Sequence, residues 1–306
     1  MQIRLFGLFA CFLIFLSACQ SLPEPEVPQE KTTTPPPEYR IGQATVYALQ
    51  DIERSMPIDI FLGASSDEIK NLALSDSLPL PSSISAFLIE MGERLILIDT
   101  GMGQSDAPQS MLMDKLRKGG FPPEQITHVL LTHLHGDHVG GLAWEGKAAF
   151  PNAQIFVSKD ERAYWLNPAT LKKNPNRKGN IELIQRNFAL YGTKVRTIAF
   201  DQEIVPGIKA LSAIGHTPGH TAFMLTSQGQ EMLFWGDLVH GAALQFANPQ
   251  VSANFDMDIK QAVATRQSFM EMAAERGIPV AGAHLPSPGI IKVGKGGNDS
   301  FTYTPY

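Results

Sequence analysis

Thr132-His133-Leu134-His135-Gly136-Asp137-His138-Val139-Gly140-Gly141 gathers three histidines and a carboxylate within six residues. The apolar run Val129-Leu130-Leu131 precedes it and reads as a buried strand. The chain holds eight histidines in 306 residues, so this density is far from even. Imidazole nitrogen and carboxylate oxygen are ligands common to zinc, manganese, iron and cobalt. On an extended strand end, side chains two apart share a face, which lets His133 and His135 grip one ion. Past the turn at Gly136, Asp137 and His138 can be aimed at a second ion beside it. A polar loop has no packing reason to hold three imidazoles so close. The stretch reads as a metal site.

The rest of the chain suits a folded domain. It is 43% hydrophobic and 18% charged, and long enough to bury a sizeable core. A formal net charge of -5, with no basic run, gives no electrostatic footing for nucleic acid. The expected partner is a small-molecule substrate.

The N-terminus stands apart. Arg4 supplies a positive charge, and Leu5 to Leu16 is almost wholly apolar, the length of a signal-peptide core rather than of a membrane span. Leu16-Ser17-Ala18-Cys19 resembles the bacterial lipoprotein signal, which implies removal of residues 1–18 and lipid on Cys19. Cys11 and Cys19 are the only cysteines, so the mature domain would have no disulfide and no thiolate ligand. Residues 19–40, rich in Pro, Thr and Glu, cannot bury enough surface to fold and read as an extended tether. Gln20, in place of an aspartate, makes the periplasmic face of the outer membrane the expected location. The domain proper is expected over 41–306.

Taken in order, strands are expected at Gln43–Leu49, Ile84–Glu90 and Arg94–Ile98, the last two joined by a turn at Gly92-Glu93. Residues 50–83, with Pro79 and Pro81, read as an irregular excursion that could wall a site. Ala107–Lys118 has helical spacing and ends at Gly119-Gly120. A strand at Gln154–Val157 and a helix from Asp160 to Trp165 follow. Asn167–Lys178 reads as a loop, and Ile181–Tyr191 as a helix. Strands at Ile208–Ile214, Ala222–Leu225 and Met232–Trp235 precede a long helix, Met257–Arg276, and a buried strand, Ile278–Ala283. The tail reads as a Gly-rich loop. This order suggests two sheets packed together and covered by helices.

Three later residues have ligand chemistry at strand ends: His216, Asp237 and His284. With His133-x-His135-x-Asp137-His138, they resemble the full ligand set of the metallo-β-lactamase fold. The resemblance implies an α/β fold, a four-layer αββα sandwich with the metals at one edge. It implies that His133, His135 and His216 hold one ion and that Asp137, His138 and His284 hold the other, with Asp237 bridging. Asp99, in Ile98-Asp99-Thr100-Gly101, matches an early motif whose carboxylate orients a ligand histidine. Two divalent ions are implied, zinc first, with manganese, cobalt or iron as alternatives. The zinc enzymes of this fold that use a cysteine ligand are excluded.

Within the superfamily the chain resembles the methyl parathion hydrolase type, a group close to the lactonases. The similarity runs through Phe150-Pro151-Asn152-Ala153, Val205-Pro206-Gly207-Ile208, Gly236-Asp237-Leu238 and Ala283-His284-Leu285. It implies hydrolysis of an ester, lactone or phosphotriester by a metal-bridging hydroxide, with Asp237 and Asp137 as the catalytic carboxylates. Trp165 and Phe246 are the expected aromatics of the substrate pocket. His128, His220 and His240 are not expected to be ligands. Two readings compete: a mononuclear iron sulfur dioxygenase on the same fold, and a non-catalytic scaffold lipoprotein.

Overall fold

Strands in chain order fill one sheet and then the other. The first sheet comprises β1 (Glu38–Ile41), β2 (Ala44–Met56), β3 (Leu80–Met91), β4 (Arg94–Ile98), β5 (His128–Leu130), β6 (Gln154–Ser158) and β7 (Val195–Ile198), neighbours in that order. The second comprises β8 (Glu203–Val205), β9 (Ile208–Ser212), β10 (Thr221–Ser227), β11 (Gln230–Phe234), β12 (Pro279–Ala281), β13 (Ile290–Lys295) and β14 (Phe301–Pro305), again in order. Pairs β4–β5, β5–β6, β6–β7 and β11–β12 are parallel and the rest antiparallel. This computed structural model describes residues 35–65, 67, 69, 71, 79–104 and 107–306. They lie within one unit, Thr34–Tyr306. The expected signal peptide, Cys19 and most of the tether lie outside the described residues.

Side-chain alternation on the strands builds the layers. In β4, Leu97 faces outward while Ile96 and Ile98 face the second sheet. Between the sheets, Ile89, Ile96 and Leu130 meet Phe223, Leu225 and Phe234. Buried on both faces, such strands read as continuous apolar runs. Each fully buried Leu, Ile or Phe contributes about 1.5–3 kcal/mol. Helices α1 (Leu112–Lys118), α2 (Gly136–Val139), α3 (Lys159–Leu166), α4 (Pro168–Lys173) and α5 (Lys178–Tyr191) fall in the first half, and α6 (Ala242–Ala247) and α7 (Ile259–Arg276) in the second. Leu116 of α1 and Ile184 of α5 cover the outer face of the first sheet. Phe269, Met270 and Ala273 of α7 cover Leu233, Val280 and Ile291 of the second. The fold is a four-layer αββα sandwich.

Several expectations need correction. The first sheet begins before residue 41, because Ile41 is buried and Tyr39 stacks on Tyr306. β2 runs on to Met56 and β3 starts at Leu80, so the excursion spans only 57–79. Pro81 is tolerated one residue into β3, near the strand end. A register shift between Gln50 and Ile52 frees Asp51 from the ladder. Its carboxylate accepts from Ser110 Oγ, Met111 N and Leu112 N at 2.6–2.9 Å, which starts α1 at Leu112 rather than at Ala107. The expected loop at 167–178 contains α4, capped by Asn167 Oδ1 on Ala169 N with Pro168 in the first turn. The tail is a hairpin, β13–β14, because Ile291 and Val293 bury their side chains against α7.

Candidate metal centre

The ligand-bearing loops leave the sheets at one edge. Asp99 follows β4, His133 to His138 follow β5, and His216 lies between β9 and β10. Asp237 follows β11 and His284 follows β12. Parallel neighbours β4–β5 and β11–β12 end together, which brings loops from distant parts of the chain into one crevice.

Three overlapping groups of donors converge there, one of them made of Asp237, His240 and His284. His133, His135, His216 and Asp237 each offer an atom within 4.8 Å of the others, and so do Asp137, His138 and His284. His135 Nδ1 stands 2.9 Å from His133 Nε2 and 3.0 Å from His216 Nε2. Asp237 lies between the groups. Its Oδ2 is 3.4 Å from His216 Nε2 and 3.1 Å from His284 Nε2, and its Oδ1 is 3.1 Å from His138 Nε2. All seven sequence-predicted ligand residues are therefore in one place.

Hydrogen bonds behind the ligands decide which ring nitrogen carries the proton. His138 Nδ1 faces Asp99 Oδ2 at 2.8 Å, His216 Nδ1 faces Asp256 Oδ1 at 2.8 Å, and His284 Nδ1 faces the Ser83 carbonyl at 2.8 Å. These partners only accept, so each Nδ1 donates and each Nε2 keeps a bare lone pair. Thr132 Oγ1 spends its proton on Asp99 Oδ2 and accepts from His133 Nδ1, so His133 Nε2 is bare as well. Both bare Nε2 atoms of His133 and His216 turn on His135 Nδ1, whose single proton could serve only one of them, whereas a cation would serve all three nitrogens. His138 Nε2 and Asp237 Oδ1 are buried 3.1 Å from each other with no other hydrogen-bond partner, as two ligands of metal would be. The donor set fits two divalent ions.

The charges agree with that reading. Burial, with the neighbouring imidazoles, drives His133 and His135 well below the ordinary histidine range. Burial also opposes charge on His138, yet Asp237, Asp99 and Asp137 outweigh it and raise it well above that range. Burial would raise Asp237, but facing His138 and His284 hold it well below the carboxylate range. In the absence of metal, protons on His138 would meet these carboxylates, and metal competes with those protons.

Other residues fall differently. Trp165 is 1% exposed; it donates Nε1–H to Glu161 and sets its ring edge against His135 at 5.6 Å. Phe246 is packed in the core with Trp235 and Tyr303. Neither lines the cleft over the ligands, because both rings are consumed by packing. That cleft, of about 270 Å³, is walled by Met56, Ile60 and Phe255, with exposed Arg54 beside them. A roomier groove, about 540 Å³ around Asn248 and Gln250, has no histidine in its lining, so size does not locate the site. His128 stacks on Phe156, on the strand leading to the site. His220 accepts from Asp237 N through Nε2 and donates Nδ1–H to the Ala213 carbonyl. His240 lines the cleft, stacks on His284 and holds Asp237 Oδ2 at 3.2 Å.

Sequence reasoning missed three buried groups. Asp256, lowered to about 2 because the hydrogen bond to His216 overcomes burial, orients that ligand. Arg266 stands behind it, 3.5 Å away, and donates to the Leu238, Pro249 and Val251 carbonyls. Glu161 receives four hydrogen bonds beneath the site. An aspartate three residues ahead of a helix and an Arg within it carry no sequence signal of this kind. Ser158-Lys159-Asp160-Glu161 does carry one, the capping-box pattern.

Comparison with known proteins agrees with this geometry. Residues 80–291 match the family model described as the metallo-beta-lactamase superfamily. The N-acyl homoserine lactonase of Bacillus thuringiensis is 28% identical over 184 residues, 53% of this chain and 66% of that protein. The match thus spans just under two thirds of that relative. A solved structure described as hydrolase AbOPH in the beta lactamase superfamily superposes with a TM-score of 0.85 at 32% identity, covering 90% of this chain and 99% of that one. AidC, a dizinc quorum-quenching lactonase solved with a product, gives 0.81 at 27% identity over 89% of this chain and 97% of that one.

Proposed function

The chain belongs to the metallo-beta-lactamase superfamily, and from that premise we propose that it is a dizinc hydrolase of lactones and related esters. The observation that carries this is the gathering of the His133, His135, His216 and Asp237 group beside the Asp137, His138 and His284 group, with donors of both lining one cleft. An N-acyl homoserine lactone is the first candidate substrate, by likeness to the lactonases. The methyl parathion hydrolase type, with phosphotriesters, is the next. A mononuclear iron dioxygenase would have no use for the Asp137, His138 and His284 group.

Two divalent ions held there would lower the pKa of a bound water towards neutrality and polarise the substrate's acyl oxygen. His133, His135 and His216 would hold one, and Asp137, His138 and His284 the other. Asp237 Oδ2 is the atom placed to take a proton from the attacking water and return it to the leaving oxygen. His240 Nε2 donates to that same oxygen at 3.2 Å. Burial drives His240 down to about 4, so at neutral pH it donates as a neutral imidazole. Met56, Ile60 and Phe255 offer an apolar wall to an acyl chain, and Arg54 a cation to a polar group.

The test is hydrolysis of an acyl homoserine lactone, an aryl ester, a phosphotriester and a β-lactam, with metal quantified in the same preparation. Two zinc per chain, with lactone turnover lost to chelator and restored by zinc, is the expected result. One iron per chain would overturn the mechanism. The lipid anchor on Cys19 and the placement at the outer membrane rest on the signal-like sequence alone. Cys19→Ala should move the protein from the membrane fraction to the soluble periplasm, and a variant that stays in the membrane would refute the anchor.

A further inference from the structure

Glu161 is buried and lies outside the ligand set, yet it is bonded to both loops that carry the histidines of the first donor group. It enters from α3, whose N-cap Ser158 accepts from Glu161 N at 3.1 Å. In a capping box the glutamate would fold back on the cap residue's own N–H. Here it turns inward instead. Oε1 accepts from Leu134 N at 3.0 Å and from Trp165 Nε1 at 2.7 Å. Oε2 accepts from Thr217 Oγ1 at 2.7 Å and from Gly219 N at 2.9 Å.

The positions of these donors matter. Leu134 sits between ligands His133 and His135, on the loop leaving the first sheet. Thr217 follows ligand His216, on the loop leaving the second. One carboxylate therefore bridges the loops that deliver the three histidines of one ion. Surrounding contacts tighten the bridge. Ser158 Oγ donates to the Gly219 carbonyl at 2.6 Å, and Asn180 Nδ2 to the Leu134 carbonyl at 2.8 Å. Gly219 has no side chain because a Cβ there would run into the Glu161 backbone. Trp165, bonded to Glu161, meets the His135 ring nearly at right angles with centroids 5.6 Å apart.

The Asp137, His138 and His284 group is held by other means. His138 leans on Asp99, and His284 on Ser83. Among the described residues, the carboxylate of Glu161 bonds to neither His138 nor His284.

We propose that Glu161 is the positioning residue of the first metal site alone: it sets the separation between the His133–His135 arm and the His216 arm. A glutamine cannot replace it. All four partners are donors, and an amide offers one oxygen, so its NH₂ end would face a backbone N–H or the indole N–H. The inference rests on the dinuclear reading of the site.

The experiment is zinc affinity of the full chain by competition with a chromophoric chelator, in two single-site backgrounds. His138→Ala keeps the ligands of the first site, and His133→Ala those of the second. Adding Glu161→Gln should weaken zinc at least about tenfold in the first background, the scale of losing a partner behind a ligand. In the second it should change affinity by less than about twofold. Equal losses in both backgrounds, or none in either, would overturn the proposal. Should Glu161→Gln fail to fold, Thr217→Val, which removes one of the four donors, decides. A several-fold loss confined to the first site supports the role, and unchanged zinc affinity refutes it. Wild-type protein that binds no zinc would defeat the dinuclear reading itself, whereas two zinc ions held unchanged by Glu161→Gln defeat only this inference.

Discussion

Asp99→Asn should disable one metal site by moving a single proton. Asp99 accepts three hydrogen bonds, from Thr132 N, Thr132 Oγ1 and His138 Nδ1, each at 2.8 Å. The Thr132 N–H cannot be reversed, so an asparagine must turn its oxygen to it at the Oδ1 position. Its NH₂ then occupies the Oδ2 position, facing the Thr132 hydroxyl and His138 Nδ1. The hydroxyl can rotate to accept. The imidazole can accept only by moving its proton to Nε2, the atom that ligation needs bare. Loss of a partner behind a metal ligand costs about 10–100-fold in affinity, or about 1.4–2.7 kcal/mol. Backbone strain does not confuse the result, because Asp99 has φ +58° and asparagine accepts that region well. The assay is zinc competition with a chelator, alongside turnover at rising zinc. The second site should weaken 10–100-fold while the first is unchanged, with turnover partly restored by excess zinc. Two zinc ions bound at wild-type affinity would refute the tautomer argument, and so would equal weakening of both.

Gly236→Ala should cost about 1–3 kcal/mol and displace Asp237, since φ is +57° and a Cβ would run into His220 Nε2 and the Thr132 side chain; thermal melting and kcat/KM check it, and wild-type values for both would refute it. His240→Gln should keep both zinc ions yet lower kcat by about 10²-fold, read by steady-state kinetics with a metal count; an unchanged kcat would dismiss His240 from the chemistry. Tyr191 tests a site remote from the metals. Burial pushes its hydroxyl from 10.0 up to about 12. Its contribution is therefore complete below pH 10 and lost as pH rises through 12, roughly two units or about 2.7 kcal/mol. Tyr191→Phe leaves Phe150 N and the Leu142 carbonyl without this partner. It should cost about 1–3 kcal/mol at neutral pH while flattening the alkaline decline in urea-unfolding stability; an unchanged decline would refute it.

The likeness of this chain to lactonases and to a hydrolase of the same superfamily bears on which substrates to try first. The cleft itself narrows the choice less. Its apolar wall and the Arg54 cation admit an acyl lactone as readily as an aryl ester, and the expected pocket aromatics are spent on packing rather than on the cleft wall. Trp165 and Phe246 illustrate the difficulty: a large aromatic near a site in sequence is equally well spent on the core.

Some of this molecule was legible from residue order alone. The ligand types are local chemistry, and their spacing on a strand end and tight turn follows from backbone geometry over six residues. Buried strands such as β4 and β5 announce themselves by apolar runs, and α5 and α7 by their helical period. Edge elements were less visible. β1, β14 and the proline-bearing start of β3 have no strong pattern of their own and form because a neighbouring strand offers a ladder. Tertiary structure alone decided what stands behind each ligand. Asp256 comes from 40 residues beyond His216 and Ser83 from 201 residues before His284. Glu161 is tied to two loops that belong to different sheets. Such partners are chosen by which chain segments meet at the sheet edge. Hydrogen bonding acts over about 3 Å in space and is indifferent to distance along the chain.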